Sequence, residues 1–105
     1  MAILYTAQGR VREVQPASGE KWTAAELQSI VGGCTEVLRT VDGEWMIVNE
    51  AYKIVYGVAE LNYQATRLWI NGRRDVILGP ALVFDKPGEL DTLDGIPRWS
   101  GSLAL

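Results

Sequence analysis

The chain has 105 residues, of which 48% are hydrophobic and 22% charged, and its net charge is −3. This length predicts one domain with a single modest core. The mild negative charge argues against a binder of nucleic-acid polymers, which needs a basic surface.

Histidine is absent and Cys34 is the single cysteine. The chain therefore has no Ser-His or Cys-His dyad, no intramolecular disulfide and too few ligands of the usual kind for a zinc site. No metal or cofactor is expected. The longest apolar run, residues 76–84, is too short to span a membrane and contains a Gly-Pro pair.

The first segment predicts a β-hairpin. Residues 2–7 (AILYTA) are rich in strand formers, residues 8–9 (QG) suit a turn, and residues 10–15 (RVREVQ) alternate imperfectly between polar and apolar. Arg10 and Arg12 are expected on the polar face of this hairpin.

A capped helix is predicted next. Thr23 and Glu26 have the spacing of a capping box, in which each side chain bonds the backbone of the other residue. Trp22 and Leu27 have the spacing of a hydrophobic staple across the same helix start. The helix is expected to face a core and to end at the double glycine of residues 32–33.

A second hairpin follows the double glycine. Residues 34–41 (CTEVLRTV) and 44–48 (EWMIV) predict two strands, and residues 42–43 (DG) are a strong two-residue turn signal. The second strand is apolar on both faces, which indicates a central position in the sheet. Cys34 is expected to be a small buried residue.

The remaining elements are less regular. Residues 54–56 suggest a short strand, and Asn62 is a plausible N-cap for a helix over residues 63–70 that stops at residues 71–72 (NG). Residues 76–84 are strand-like, and their Gly-Pro pair implies a bulge, a break or an edge position.

The sum is an α+β domain over residues 1–84. Its order is about ββ-α-ββ-(β)-α-β, a mostly antiparallel sheet with two helices packed on it. Residues 85–105 are predicted to be an extended C-terminal tail that docks on the domain or on a neighbouring subunit, which favours a homo-oligomer. The apolar residues that suggest docking are Ile96, Trp99, Leu103 and Leu105.

Four stretches in this order resemble a known family. They are AELQSIVGGCTEVL (25–38), DGEWMIVNE (42–50), LNYQATRLW (61–69) and DVILGPALV (75–83). Together they are similar to the domain-of-unknown-function family numbered 3846, whose small members occur mainly in bacteriophages and other mobile elements. The likeness covers residues 3–84.

The chain departs from the family at two points. Members usually have an aromatic residue after the double glycine, where this chain has Cys34, and often a Gly-Lys pair where it has residues 51–53 (AYK). The family has no established activity, so the resemblance implies no catalytic residues. It implies a phage setting, expression in the host bacterial cytoplasm and an accessory role such as blunting host defence.

Five arginines are the first candidate ligand residues. Arg67, Arg73 and Arg74 gather near the end of the second predicted helix, and Arg10 and Arg12 join them if the sheet brings the segments together. Guanidinium groups bind phosphate or carboxylate bidentately, which would make a clamp. The structural explanation for the arginines near the helix end is that they interact favourably with the helix dipole and make the surface soluble.

Element ends supply further candidates. Gly32 and Gly33 can offer bare backbone N–H groups to a ligand, although a helix stop explains one of them. Asn49 and Asn62 can read the edge of a base or ribose, although capping of turns is the favoured interpretation.

Aromatic residues complete the set. Trp45 and Trp69 fall in apolar patterns typical of a core, and Trp22 has the staple explanation. Trp99 has no local structural reason, which makes it a candidate for an interface or for stacking on a base. Tyr63 is an alternative stacking residue.

These features favour a non-enzymatic phage protein that binds and sequesters a small anionic ligand such as a signalling nucleotide. The alternative is a protein-protein inhibitor or adaptor that acts on a host defence enzyme, suggested by the apolar tail. A hydrolase is the least favoured class, because Glu36, Glu44 and Glu50 are best explained as solvated strand positions.

Overall fold

The computed structural model describes residues 2–17, 19 and 21–84, and the predicted tail, residues 85–105, lies outside them. The described residues form the predicted α+β fold. A five-stranded antiparallel sheet carries helices on both faces, and its strands lie in the spatial order Val11–Val14, Ala2–Tyr5, Ala81–Phe84, Trp45–Asn49 and Thr35–Arg39.

The strands are β1 (Ala2–Tyr5), β2 (Val11–Val14), β3 (Thr35–Arg39), β4 (Trp45–Asn49) and β5 (Ala81–Phe84). The helices are α1 (Ala24–Val31), α2 (Tyr52–Val55) and α3 (Tyr63–Leu68), with a 3₁₀ turn at Val58–Glu60. Both predicted hairpins, β1–β2 and β3–β4, are present.

The predicted strand at residues 54–56 is wrong, because Ile54 and Val55 belong to the short helix α2 and Tyr56 is its C-cap residue. The amide groups of Ile54 and Val55 both donate to the carbonyl of Ala51 at 2.9 Å. Both edges of the preceding strand β4 are already paired, with β3 and β5. A strand at residues 54–56 would therefore find no free edge of β4 to pair with. The backbone groups of Ile54 and Val55 form local helical hydrogen bonds instead, despite the strand preference of β-branched residues.

The strand predicted at residues 76–84 is confined to β5, and it is central rather than an edge strand. It pairs with β1 on one side and β4 on the other. Gly79 breaks the extended run because its φ is +82°. Glycine is needed at this position for a second reason, since a Cβ would lie 2.5 Å from ring carbons of Tyr56. Pro80 therefore precedes the ladder and removes no hydrogen bond from it.

The central position predicted for β4 is confirmed, and the sheet has a core on each face. Ile47 points to the α1 side, where it packs in a cluster with Leu27 and Phe84. Met46 and Val48 point to the opposite side, in a second cluster under α2 and α3. This is why β4 lacks the polar alternation of a one-sided strand.

The predicted capping box begins α1. The Glu26 amide donates to Thr23 Oγ1 at 3.1 Å, and the Thr23 amide donates to Glu26 Oε1 at 3.0 Å. Hydrogen bonds from the Ala17 and Thr23 amides lower the pKa of Glu26. Trp22 and Leu27, the predicted staple, are both buried in the α1-side core.

Asn62 is fully buried and begins α3. Its Oδ1 accepts from the Ala65 amide at 3.1 Å, which is the predicted N-cap bond. Its Nδ2 donates to the carbonyl of Tyr5 at 2.9 Å and to that of Gly79 at 2.8 Å. One amide therefore joins α3 to the end of β1 and to the turn before β5.

Helix α3 ends two residues earlier than the predicted Ile70. Trp69 instead forms an isolated antiparallel bridge with Thr40, and the Ile70 amide donates to the carbonyl of Arg39 at 3.0 Å. The chain leaves the helix because pairing beside the end of β3 satisfies these backbone groups.

We predict that Asn62→Ala lowers the free energy of unfolding by about 3 kcal/mol or more. The loss of a cap costs about 1 kcal/mol and each buried carbonyl left without a donor about 1–3 kcal/mol. Urea denaturation measures the change. Asn62→Asp is the companion variant, since it keeps the cap acceptor but loses both donors; wild-type stability for Asn62→Asp would show that the two carbonyl bonds contribute nothing.

Candidate functional site

A polar cleft lies on the face of the sheet that carries α2 and α3, and we name it the Trp69 cleft. Its volume is about 460 Å³. Three of its lining residues are buried, namely Leu38, Tyr52 and Trp69. The other four are more accessible, namely Glu36, Asn71, Arg74 and Asp75.

Three stretches of the chain build this cleft, namely residues 36–38, residue 52 and residues 69–75. Glu36 and Leu38 are two residues apart on β3, so strand alternation places both on the same face. Tyr52 is the first residue of α2, and Trp69 follows α3 directly. The residues from 71 to 75 form the turns that lead towards β5.

The pKa values of the two carboxyl groups of the cleft are shifted in opposite directions. Burial raises the pKa of Glu36, and the negative charge of Glu50 raises it further. A hydrogen bond from Lys53 lowers the pKa of Asp75, with which Lys53 forms an ion pair. Burial, with the charges of Asp75 and Glu36, raises the pKa of Tyr52 to about 12.

Trp69, which lines the cleft, has an unpaired donor. Its side chain is 7% exposed, and its indole nitrogen is buried with no hydrogen-bond partner in the part of the chain that the structure describes. A buried polar group in this state is rare in native proteins and usually has a functional or structural reason.

The five arginines do not converge on one site. Arg74 lines the Trp69 cleft, whereas Arg67 lines a separate cleft of about 270 Å³ with Tyr5. Arg12 pairs with Leu4, so its side chain is on the α1 face, behind the sheet. The expectation that Arg12 joins the arginines near α3 is therefore wrong, because the strand pairing turns it the other way.

The other two arginines also lie apart from the cleft. Arg10 is exposed in the turn region before β2, where its backbone bonds Thr6. Arg73 is exposed next to Arg74 but does not line the Trp69 cleft. Its position makes it a natural control for its neighbour.

The double glycine is approached by the protein itself. Gly32 is left-handed, as expected for the helix stop, and a Cβ there would lie 2.5 Å from the hydroxyl oxygen of Tyr56. A Cβ on Gly33 would lie 3.0 Å from Nδ2 of Asn49. The close approach that suggested a ligand is made by these two side chains. Cys34, predicted to be buried, is exposed beside them.

Asn49 and Asn62 are structural residues in this fold. The buried Asn49 donates to the carbonyl of Val31 at 3.1 Å and accepts from the Ala51 amide at 2.8 Å. Asn62 uses both amide hydrogens and its oxygen internally, as described above. The capping interpretation is confirmed for both, and neither side chain reaches the Trp69 cleft.

The aromatic candidates are distributed as follows. Trp69 is buried as predicted, whereas Trp45 is only half-buried, with the Arg39 guanidinium 4.7 Å from its ring centre. Tyr63 is exposed and does not line the cleft. Trp99 lies outside the described residues.

Of the seven residues that line the cleft, the sequence predicts only Arg74 as a ligand residue. The six that it misses are Glu36, Leu38, Tyr52, Trp69, Asn71 and Asp75. Glu36 was assigned to a solvated strand position. An available signal was its spacing: Glu36 and Leu38 share a strand face, and Leu38 is apolar, so this face of β3 is covered by other elements. Tyr52 and Asp75 have no local pattern that indicates a cleft.

No protein-family model, curated protein or solved structure matches this chain. The resemblance to the domain-of-unknown-function family therefore stays a prediction. Within the described residues there is no group of three or more acidic or cysteine side chains placed to hold a metal ion. None of the described helices has the length and apolar character needed to cross a membrane.

We predict that Glu36→Gln is more stable than the wild type at pH 7. The folded-state pKa of Glu36 lies above its ordinary value of 4.5. The protonated Glu36 side chain therefore stabilises the fold at pH values below 4.5, and this contribution is lost as the pH rises through the folded-state pKa. At pH 7 the wild type carries the destabilising charged form, which the neutral Gln side chain avoids. The gain at pH 7 should be up to about 1 kcal/mol, given partial solvent screening.

Urea denaturation at several pH values measures this gain, which should shrink as the pH falls below 4.5. Glu13→Gln on β2 is the control, an exposed carboxylate outside the cleft. If the free energies of unfolding of the wild type and Glu36→Gln differ by the same amount at every pH in this range, the raised folded-state pKa of Glu36 is contradicted.

Proposed function

We propose that this protein is a non-enzymatic accessory protein of phage type that binds and sequesters a small anionic ligand, such as a signalling nucleotide, in the Trp69 cleft. The observation that carries the proposal is the combination of one cation, two carboxyl groups and two aromatic side chains around one cavity.

The chemistry of the cleft is complementary to a nucleotide. Arg74 supplies a guanidinium group for a phosphate, which it can bind bidentately. Glu36 and Asp75 supply acceptors for the hydroxyl or amino groups of a ribose or base.

The size of the cleft supports the same class of ligand. Sites for small molecules usually have volumes of about 300–1,000 Å³, and the Trp69 cleft has about 460 Å³. The apolar rings of Tyr52 and Trp69 beside polar groups are typical of such sites.

A binding role is favoured over catalysis by the residues themselves. The chain has no histidine, and Asp75 is held by its ion pair with Lys53. The resemblance to a phage family adds the setting, the host bacterial cytoplasm, in which removal of a signalling nucleotide would blunt a defence response.

Native mass spectrometry of protein from a bacterial host, before and after denaturation, tests the proposal together with a thermal-shift screen of cyclic and linear nucleotides. We expect a released nucleotide or a raised melting temperature with one nucleotide class, together with the oligomeric state. An empty protein that responds to no nucleotide would overturn the proposal.

We predict that Arg74→Ala weakens binding of that nucleotide about tenfold or more, because a hydrogen bond to a charged group contributes about 1.5–3 kcal/mol and 1.4 kcal/mol is a factor of ten. Isothermal titration calorimetry measures the affinity. Arg73→Ala removes the same charge from the neighbouring residue, which does not line the cleft, and should change the affinity little. Equal losses in both variants would indicate diffuse attraction instead of a defined site.

A second function, an inhibitor or adaptor that binds a host protein, is favoured by a different observation. Ile54 in α2 is 89% exposed and Val58 in the following 3₁₀ turn is 83% exposed. Exposed apolar side chains close together in one segment are a common feature of interaction surfaces.

For this second function we expect a host protein to be captured from bacterial lysate by the wild type and lost with Ile54→Ser combined with Val58→Ser. Val41→Ser is the control, since Val41 is also exposed but lies in the β3–β4 turn. Capture that survives the double substitution, or that is lost equally with Val41→Ser, would count against this surface.

A further inference from the structure

Among the described residues, the outer edge of β2 has no partner strand. β2 is the last strand on its side of the sheet and pairs with β1 alone. The amide of Thr6 in the same hairpin donates to the carbonyl of Arg10 at 2.9 Å, and antiparallel pairs alternate between hydrogen-bonded and non-hydrogen-bonded. The backbone groups of Arg12 therefore face β1. Those of Val11 and Glu13 face away from the sheet, where a further strand could pair with them.

The side chains along this edge are accessible, and they differ between its two faces. Val11 is 48% exposed, and Arg10, Arg12 and Glu13 are also exposed. Neither Arg12 nor Glu13 forms an ion pair or a side-chain hydrogen bond with another described residue. By strand alternation, Arg10 and Arg12 lie on the same face as Val14. Val11 and Glu13 lie on the other face, so the edge presents two cations on one side and one anion on the other.

A second copy of β2 is a poor partner for this edge. Two copies would pair antiparallel about a two-fold axis, so the same residues would meet each other across the junction. The two registers with the greatest overlap place Arg12 opposite Arg12, or Glu13 opposite Glu13. Like charges directly opposite each other are destabilising, so these side chains disfavour pairing between copies.

The same side chains define a strand that is complementary to the edge. Two carboxylates, two residues apart, would lie opposite the guanidinium groups of Arg10 and Arg12. A basic side chain would lie opposite Glu13, and apolar side chains opposite Val11 and Val14. Cross-strand pairs of opposite charge stabilise an antiparallel ladder. Read antiparallel to β2, the complementary order is apolar, basic, acidic, apolar, acidic.

We propose that the edge of β2 binds an extended peptide segment of a partner protein, which joins the sheet as an additional antiparallel strand. Hydrogen bonds with the outward-facing backbone groups of Val11 and Glu13 hold the segment. Its two acidic side chains, facing Arg10 and Arg12, give the specificity. This edge lies apart from the Trp69 cleft, so the proposal does not depend on ligand binding there.

NMR titration of the isotope-labelled protein tests the proposal. The probe is a synthetic peptide with the central sequence Val-Lys-Glu-Val-Glu, and the matched control peptide has the charge-reversed sequence Val-Glu-Lys-Val-Lys. With the probe, we expect the amide signals of Val11 and Glu13 to shift and their hydrogen exchange to slow, because these amides gain acceptors. The signals of Glu36 and Arg74, which line the Trp69 cleft, should not change.

A charge swap tests whether side chains of β2 select the peptide. Arg12→Glu should weaken binding of the probe about fivefold and strengthen binding of the charge-reversed peptide by a similar factor, because one cross-strand pair exchanges attraction and repulsion. Arg73→Glu makes the same change at an exposed residue outside β2 and outside the cleft, and should change neither affinity appreciably. A dispersed spectrum reports an intact fold in each variant.

Three outcomes would overturn the proposal. One is the absence of shifts at Val11 and Glu13 with the probe at millimolar concentration. Another is equal binding of the two peptides. The third is an equal loss of affinity for the probe in Arg12→Glu and Arg73→Glu, which would indicate diffuse attraction to the surface instead of pairing with β2.

Discussion

The buried amide of Asn62 is the interaction on which the arrangement of one face of the sheet depends. A side chain with no exposed surface is stable only when its polar atoms are satisfied, and this one has three partners from three segments. It fixes where α3 begins, how α3 lies against the end of β1, and how the turn at Gly79 directs the chain into β5. Trp69 and the turns after it follow α3 directly, so their positions depend on where Asn62 begins this helix.

A second buried connection organises the other face. The carbonyl of Val31, at the end of α1, accepts from Nδ2 of Asn49 at 3.1 Å and from the hydroxyl of Tyr56 at 2.7 Å. Helix α1 is thereby joined to the end of β4 and to the residue after α2. The double glycine is required here for a steric reason, since Tyr56 and Asn49 pass where side chains would otherwise be.

Local signals in the sequence were sufficient for most of the fold. The capping box and the two-sided apolar pattern of β4 act over a few residues, and each is present as predicted. The Asp-Gly signal marks the hairpin, but the predicted two-residue turn is wrong, because the Gly43 amide donates to the carbonyl of Thr40 and the turn is centred on residues 41–42. The other errors fall where tertiary pairing decides. Ile54 and Val55 have strand propensity but no free strand edge beside them, and β5 acquires a central position only because it inserts between β1 and β4.

The site was less accessible to sequence reasoning for the same reason. The clustering of arginines along the chain predicts that they act together. Neighbours in sequence can nevertheless occupy different surroundings: Arg74 lines the cleft, and Arg73 does not. Arg12 is directed by its pairing with Leu4, which no local pattern reveals. The Trp69 cleft is assembled from three separated stretches of the chain, so its members are recognisable only once α2 and α3 lie on the sheet.

The central position of β5 has a consequence for the order of events during synthesis. The two hairpins, β1–β2 and β3–β4, consist of residues made early, and they have no contact with each other in the sheet until the strand between them arrives. That strand is the last described element to leave the ribosome, and it pairs Phe84 with Ala2. Such pairing over a long loop is slow to form, so the nascent chain carries two unjoined hairpin edges for most of its translation. Release of residues 81–84 from the ribosome exit tunnel is then the step that closes the sheet.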